Sequence, residues 1–500
     1  MDEGVVDRLS SLSDDRLRRI LHLVPSKEAA STSALSRRWG SLWRSSGAVD
    51  LAVAIRYGHD EIYGYQAMQE AQRAAEDAFS RAAAASLAAA EVPVTRLAIR
   101  VDTDGGDTDL QRFVPKVSAV LSDPAAARHV EDLRVALVDA NDDATTLFSG
   151  VEISRSLGIC RLPSLPSPEI LRVLDLTRCD LAPPPVACCL PRLATLRLRR
   201  CSIRLTDLQA LLDAAPDLTH VHLESVLFKY TIIQQGYLQP QEVLDKIATT
   251  PAGPSIDAPR LQSFVYKGLL RQFQLRSAAP ELARADLHFL KDTLCYGKER
   301  TRELFWQFVQ SLSSAKALKL TVNAGLKEIA AIGKARRAQL LCPLPNVQRL
   351  ELEGWHHPTS TTAAVAIANL LHCCHALGDL TLKLSDVPPD SHKDDGSYYA
   401  SDRLDYTRSI DRFIRRRRSS TISMEDSNSS GVRYHDDVHD IPGLSGHSFA
   451  CLQKSLRRVS LQFRLADSSS SCLGPRLVKF FAQNAMVLEE IHIDSGNWRQ

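Results

Sequence analysis

Few residues in this chain of 500 have the types and spacing that chemistry requires. His372, Cys373, Cys374 and His375 are consecutive and each can bind zinc, but adjacent side chains on a helix point apart. Only His372 and His375 would converge, which makes half a site. His435 and His439, with Asp436 and Asp440, would grip a metal if helical, yet their surroundings are too polar to predict a stable helix. Residues 102–109 read DTDGGDTD, close to a calcium loop. Such a loop needs Gly at its sixth position and Glu at its twelfth, where this chain has Asp107 and Phe113. A polar turn after a strand is expected there. No Gly-rich phosphate loop, G-x-S-x-G elbow or metalloprotease helix motif occurs. No nucleophile, base and orienting group can be nominated, so the chain reads as a non-enzyme with no catalytic residues, no metal and no cofactor.

The elements around these residues point to binding rather than turnover. Hydrophobic content of 44% and charged content of 24% are those of a globular chain, and a net charge of +2 gives no general attraction to nucleic acid or anionic membranes. No apolar run is long enough to span a bilayer, and MDEGVVDRLS lacks a signal peptide's apolar core. Eleven cysteines without a C-x-x-C pair fit buried free thiols in a reducing compartment. The expectation is an intracellular protein, cytoplasmic or nuclear.

Residues 7–43 predict three short helices. Ser13 is expected to cap the first, with Asp14 and Asp15 on the positive end of its dipole. Leu17, Ile20, Leu21 and Val24 fall on one apolar face. Pro25 ends that helix, Ser26 is expected to cap the next, and Leu35, Trp39, Leu42 and Trp43 resume helical spacing. So small a unit cannot bury this much apolar surface alone, so it must lean on the rest of the chain or on a partner. Residues 51–65 look like an unpatterned connector. Residues 66–90, without Gly or Pro, predict a helix with a stripe of Met68, Ala71, Ala75, Ala78 and Phe79.

From Val94 onward one pattern returns: apolar, two residues, apolar, one residue, apolar. Leu171-Leu174-Leu176 and Leu193-Leu196-Leu198 complete the full leucine-rich-repeat form, with Cys179 and Leu181 in one and Cys201 and Ile203 in the other. Looser copies include Leu218-Val221-Leu223, Val347-Leu350-Leu352, Leu377-Leu380-Leu382 and Leu456-Val459-Leu461. Their unequal spacing predicts an irregular array. Stacked repeats would form a curved parallel sheet whose remaining positions face the concave side. Arg197, His220, His222, Arg349 and Glu351 are the candidate target-binding residues on that face, beside Asp175, Thr195, Asp379, Thr381, Glu490 and His492. Residues 388–442, dense in Ser, Asp and Arg, predict a disordered or loosely helical insertion. In it, Arg412 and the arginines at 415–418 read as an import signal, an anionic-ligand patch or a solvated helix face.

The strings D-R-L-S-x-L, I-L, P-x-K-E-A and T-x-x-L-S-R-R-W within residues 7–43 resemble the F-box of plant F-box proteins, with Ser13 where that family usually has Pro. ANLLHCCHALGDLTLKL at 368–384 resembles a helix-to-strand unit of cereal-type F-box repeat proteins. SLRRVSLQF and RLVKFFAQNAMVLEEIHI, toward the C-terminus, resemble the FBD region that closes many of them. The fold this resemblance implies is an α/β chain: a three-helix F-box at 1–50, a helical connector at 51–92, an irregular leucine-rich-repeat solenoid at 93–387 with helices outside, the insertion at 388–445 and FBD-like terminal repeats at 446–500. The function it implies is the substrate-recognition subunit of an SCF-type ubiquitin ligase. Its F-box would bind a Skp-type adaptor, and through it a cullin, by Leu12, Leu17, Ile20, Leu21, Leu35 and Trp39, while its repeats bind an unknown target protein. The alternative is a non-ligase repeat scaffold or ligand-sensing protein whose N-terminal helices merely cap the array.

Overall fold

The computed structural model describes residues 9, 11–56, 65–104, 106–140, 160–162, 165–181, 189–229, 252–276, 279–290, 298–332, 334–356, 362–385, 441, 444, 447–464 and 473–494. The arginines at 415–418, His435 and His439, and nearly all of the expected insertion lie outside these residues. The chain divides into two compact units, Met1–Tyr237 with Ile256–Leu261, and Leu238–Ser255 with Gln262–Gln500. Both are mixed α/β units built on parallel sheets in which strands successive along the chain mostly lie side by side, as the leucine-rich repeats predict.

The first unit opens with an N-terminal helical bundle: α1 (Asp14–Leu21), α2 (Ser26–Ser31), a 3-10 turn (Thr32–Ala34) and α3 (Trp39–Leu42). Its sheet follows in the order β1 (Ala48–Ile55), β2 (Arg96–Thr103), β3 (Asp132–Asp139), β5 (Val173–Thr177), β7 (Thr195–Arg199) and β9 (His220–Glu224). A second small sheet joins β4 (Cys160–Leu162), β6 (Cys179–Leu181), β8 (Ser202–Arg204) and β10 (Leu227–Lys229). From β3 onward each repeat of this unit thus gives one strand to each sheet. Between these strands Arg178, Arg200 and Ser225 take left-handed backbone, with φ of 57°, 52° and 50°. The Cys positions that follow are buried: Cys201 donates to the Leu176 carbonyl at 3.3 Å and Cys179 to that of Thr177 at 3.5 Å. Burial pushes the Cys201 thiol up to about 12, so it serves as a small apolar residue with a weak donor.

Ser225 holds this left-handed backbone without compensation, because its buried hydroxyl has no hydrogen-bond partner. A side chain in this conformation costs about 1 kcal/mol relative to glycine, and a buried unpaired hydroxyl about as much again. Ser225→Gly is expected to stabilise the protein by about 1 kcal/mol, read as a raised midpoint in urea. A lowered midpoint would refute it.

Two sequence expectations are corrected by the fold. The supposed connector contains β1, whose Val49, Leu51 and Ile55 are buried while Ala48, Ala52 and Ala54 take the other face. Alanine at outward positions erased the polar half of the alternation. In α4 (Tyr65–Ala89) the buried stripe is Gln72, Phe79, Ala83 and Leu87, whereas Ala71 and Ala78 are exposed. On so alanine-rich a helix the large Phe79, packed edge-on against Phe113 at 5.9 Å, decides which face turns inward. Phe113 lies on α5 (Asp107–Ser122), which begins inside the expected polar turn at 102–109.

The sheet of the second unit runs β12 (Ser263–Gly268), β14 (Arg284–Phe289), β15 (Ala317–Val322), β16 (Arg349–Trp355), β17 (Asp379–Ser385), β18 (Arg458–Arg464) and β19 (Glu490–Asp494). The short β11 (Ala252–Ile256) and β13 (Gln272–Leu275) pair separately. One side of the long sheet is leucine-lined and buried, by Leu320, Leu352, Leu382 and Leu461 among others. Phe264, Tyr266, Phe273 and Phe289 meet Phe305 and Phe308 of the helix Lys298–Ser311 in one aromatic core. Strand alternation leaves the polar residues on the opposite, open side.

Candidate binding surfaces

The N-terminal bundle closes a core of its own. Leu17, Leu21, Ala29, Trp39 and Leu42 are buried together, with Leu12, Val24 and Trp43 packed at its margin. Arg38 ties the start of α3 to the start of α1, donating to Asp14 at 2.7 Å and to the Leu12 carbonyl. The bundle also leans on β1, the first strand of the unit. The Ser26 hydroxyl accepts the Asp50 N–H at 2.8 Å, and His22 Nδ1 lies 2.8 Å from the Ser46 carbonyl. Ser26 therefore fills an edge-strand donor instead of capping α2, and Ser13 makes no side-chain cap bond.

The six residues expected to meet an adaptor separate by position. Leu17, Leu21 and Trp39 sit inside the bundle core, and Leu12 lies at its margin. Ile20 and Leu35 face solvent with 42% and 67% of their surface exposed, as does Leu23 at 66%. Leu35 follows the 3-10 turn, which breaks the helical spacing that would have carried it inward. Leu23, missed in the sequence, sits one turn beyond Ile20 just past the end of α1.

On the open face of the first unit, every candidate has a near neighbour. Arg197 and Arg199 approach the buried Asp175 at 3.6 and 2.9 Å. His222 Nε2 is 3.5 Å from Glu224, and the exposed His220 ring is 2.8 Å from the Thr219 hydroxyl.

The open face of the second unit forms a groove of about 520 Å³, lined by Arg284, Lys319, Arg349, Glu351, Asp379 and Arg458 among others. Register places Arg284, Ala317, Arg349, Asp379, Arg458 and Glu490 on one rung across the strands. Asp286, Lys319, Glu351, Thr381, Ser460 and His492 form the next. Arg458 grips Asp379 with two bonds of 2.7 and 2.8 Å, and Arg349 Nε reaches the same carboxylate at 3.2 Å. Lys319 and Lys383 approach Glu351 at 3.1 and 2.7 Å. The hydrogen bond from Arg458 holds the Asp379 carboxyl below its usual range. Glu351 is also lowered, because its two lysines together outweigh the opposing effect of burial. Both carboxylates are thus ionised near neutral pH.

His372 and His375 are exposed, while Cys373 and Cys374 point into the core, where burial raises both thiols. Among the described residues no group of three or more potential ligands is arranged to hold a metal. Nor is any described helix long and apolar enough to cross a membrane.

No protein-family model matches the chain. Among curated proteins, an F-box/FBD/LRR-repeat protein of Arabidopsis thaliana is 26% identical over 222 residues, 44% of each chain. A putative F-box/FBD/LRR-repeat protein of the same plant is 58% identical over 38 residues, 8% of each chain. An FBD-associated F-box protein, also from Arabidopsis thaliana, is 54% identical over 39 residues, 8% of this chain and 10% of its own. The matches span less than half the length of these relatives. An irregular array of repeats behind an N-terminal helical bundle agrees with those names, and the chain is thus similar to plant F-box/FBD/LRR-repeat proteins.

Proposed function

We propose that this chain is the substrate-recognition subunit of an SCF-type ubiquitin ligase, non-catalytic itself, with the helical bundle at residues 1–50 acting as its F-box. The observation that carries this reading is the bundle itself: a small helical unit with a closed core that still turns Ile20, Leu23 and Leu35 to solvent. Helices serving only to cap the sheet have no use for three large apolar side chains in water, whereas a partner-docking unit does. Ile20 and Leu35, with Leu12 at the margin, would touch a Skp-type adaptor. Leu17, Leu21 and Trp39 would hold the docking surface in shape from behind. The open faces bearing Arg197, His220 and His222, and Arg349 and Glu351, would bind a target protein. The FBD-like end completes the array. Ubiquitin transfer then gains from proximity alone, because the target's lysines are held at high effective concentration.

The test is capture of a purified Skp-type adaptor by the full chain and by an Ile20→Asp/Leu35→Asp double variant. Both positions are on the surface, so the variant should fold as the wild type does by circular dichroism. Adaptor binding is expected to weaken about a hundredfold, since two apolar contacts are each replaced by a desolvated charge. No capture by the wild type, or equal capture by both, would overturn the reading and favour a capped repeat scaffold.

A further inference from the structure

The open face of the second unit carries guanidinium groups whose bonding is incomplete. Three of its carboxylates are held by cations: Asp379 by Arg349 and Arg458, Glu351 by Lys319 and Lys383, and Asp286 by Arg284 at 2.8 Å. Two of its arginines keep unused donors. Arg349 meets Asp379 through Nε alone, leaving Nη1 and Nη2 without a partner among the described residues, and its side chain is 72% exposed. Arg284 engages Asp286 through Nε and Nη2 and keeps Nη1. The two lie on one rung, two strands apart, with only Ala317 between them. Unused guanidinium donors on a groove wall suit an anionic ligand.

The spacing narrows the class. Two strands separate the backbones of the arginines by about 10 Å, so the two need not share one phosphate as a phosphate-binding cluster does. Each instead offers a planar fork to one carboxylate. A nucleic-acid backbone is disfavoured too, because it would bring its charges against Asp379 and Glu490 on the same rung. A polyproline II segment advances about 3.1 Å per residue with three residues per turn, so side chains three apart project on one side about 9 Å from each other. We propose that this groove recognises a short acidic peptide segment of a target protein, whose two carboxylates, three residues apart, are held by Arg349 and Arg284. The inference rests on the reading of the open face as the target-binding surface and adds the chemistry of what it holds.

The test is fluorescence anisotropy of a short synthetic peptide with two Glu three residues apart in a Pro- and Ser-rich background, titrated with the full chain. Wild type is expected to bind, Arg349→Ala to weaken binding about tenfold, and Arg349→Ala/Arg284→Ala to abolish it. Arg336→Ala, an equal charge change on the helix Lys334–Leu340, should leave it unaltered. A Gln-for-Glu peptide should not bind, and one with adjacent Glu residues should bind more weakly. No binding, equal loss with Arg336→Ala, or tighter binding of a phosphoserine version than of the Glu peptide would each overturn the proposal. Adaptor capture by the same Arg349→Ala protein reads the N-terminal bundle alone. Retained capture with failed peptide binding therefore sinks this inference and leaves the ligase reading standing.

Discussion

Phe308→Ala is expected to destabilise the protein by about 3–5 kcal/mol, the loss typical of a buried aromatic truncated to alanine. Phe308 is 1% exposed and is the hub of the aromatic core in the second unit. Its ring stacks on Phe273 at 4.6 Å, lies 5.1 Å from Tyr266, and meets Phe289 edge-on at 5.4 Å. Each such contact adds roughly 0.5–1.5 kcal/mol beyond area burial, and the neighbours come from separate strands, so they cannot all collapse into the void. Against a total stability of about 5–15 kcal/mol, the change should lower the thermal midpoint by about 10 °C. Phe308→Leu, which keeps most of the volume, should recover at least half of the loss. A loss below about 1 kcal/mol for the alanine variant would mean that these rings do not share one core.

Adjacent positions in the N-terminal bundle give the second large contrast. Leu21→Asp places a carboxylate in the apolar cluster of Leu17, Ala29, Trp39 and Leu42. An unpaired buried charge costs several kcal/mol, more than a bundle of this size can hold in reserve. The bundle is expected to unfold locally, losing amide protection across α1 to α3 while strands β2 to β9 keep theirs. Ile20→Asp, one residue earlier and on the surface, should keep the protection and lose only adaptor capture. Hydrogen exchange on both variants separates loss of shape from loss of contact. Unchanged protection in Leu21→Asp would contradict a closed core around Leu21.

Much of the array was legible because a repeat writes its burial into its own sequence. Leu174 and Leu176, Leu196 and Leu198, or Leu380 and Leu382 are buried at the spacing that picked them out. What escaped depends on partners far away in the chain. The rung holding Arg349, Asp379 and Arg458 requires a strand pairing between residues 79 positions apart, which no local pattern encodes. Ser26 looked like a cap because its spacing suits one; only the folded chain brings the Asp50 amide to its hydroxyl. Leu35 and Trp39 share helical spacing in the sequence, yet the 3-10 turn separates them, leaving one outside and one inside. Among the N-terminal helices, therefore, the string of residue types was readable, while the division between scaffold and surface was not.

The bond from the Asp50 amide to Ser26 has a bearing on self-association. β1 ends its sheet, and an outermost strand offers unsatisfied amides and carbonyls to any passing chain. By laying α2 against this strand and occupying one of its donors, the N-terminal bundle interrupts the ladder that a stray strand would need. A chain trimmed at residue 47 would uncover that margin, with Val49, Leu51 and Ile55 behind it. On the proposed reading, the docking unit and the guard against aggregation would then be the same helices, so shedding them would sacrifice solubility along with the proposed partner binding.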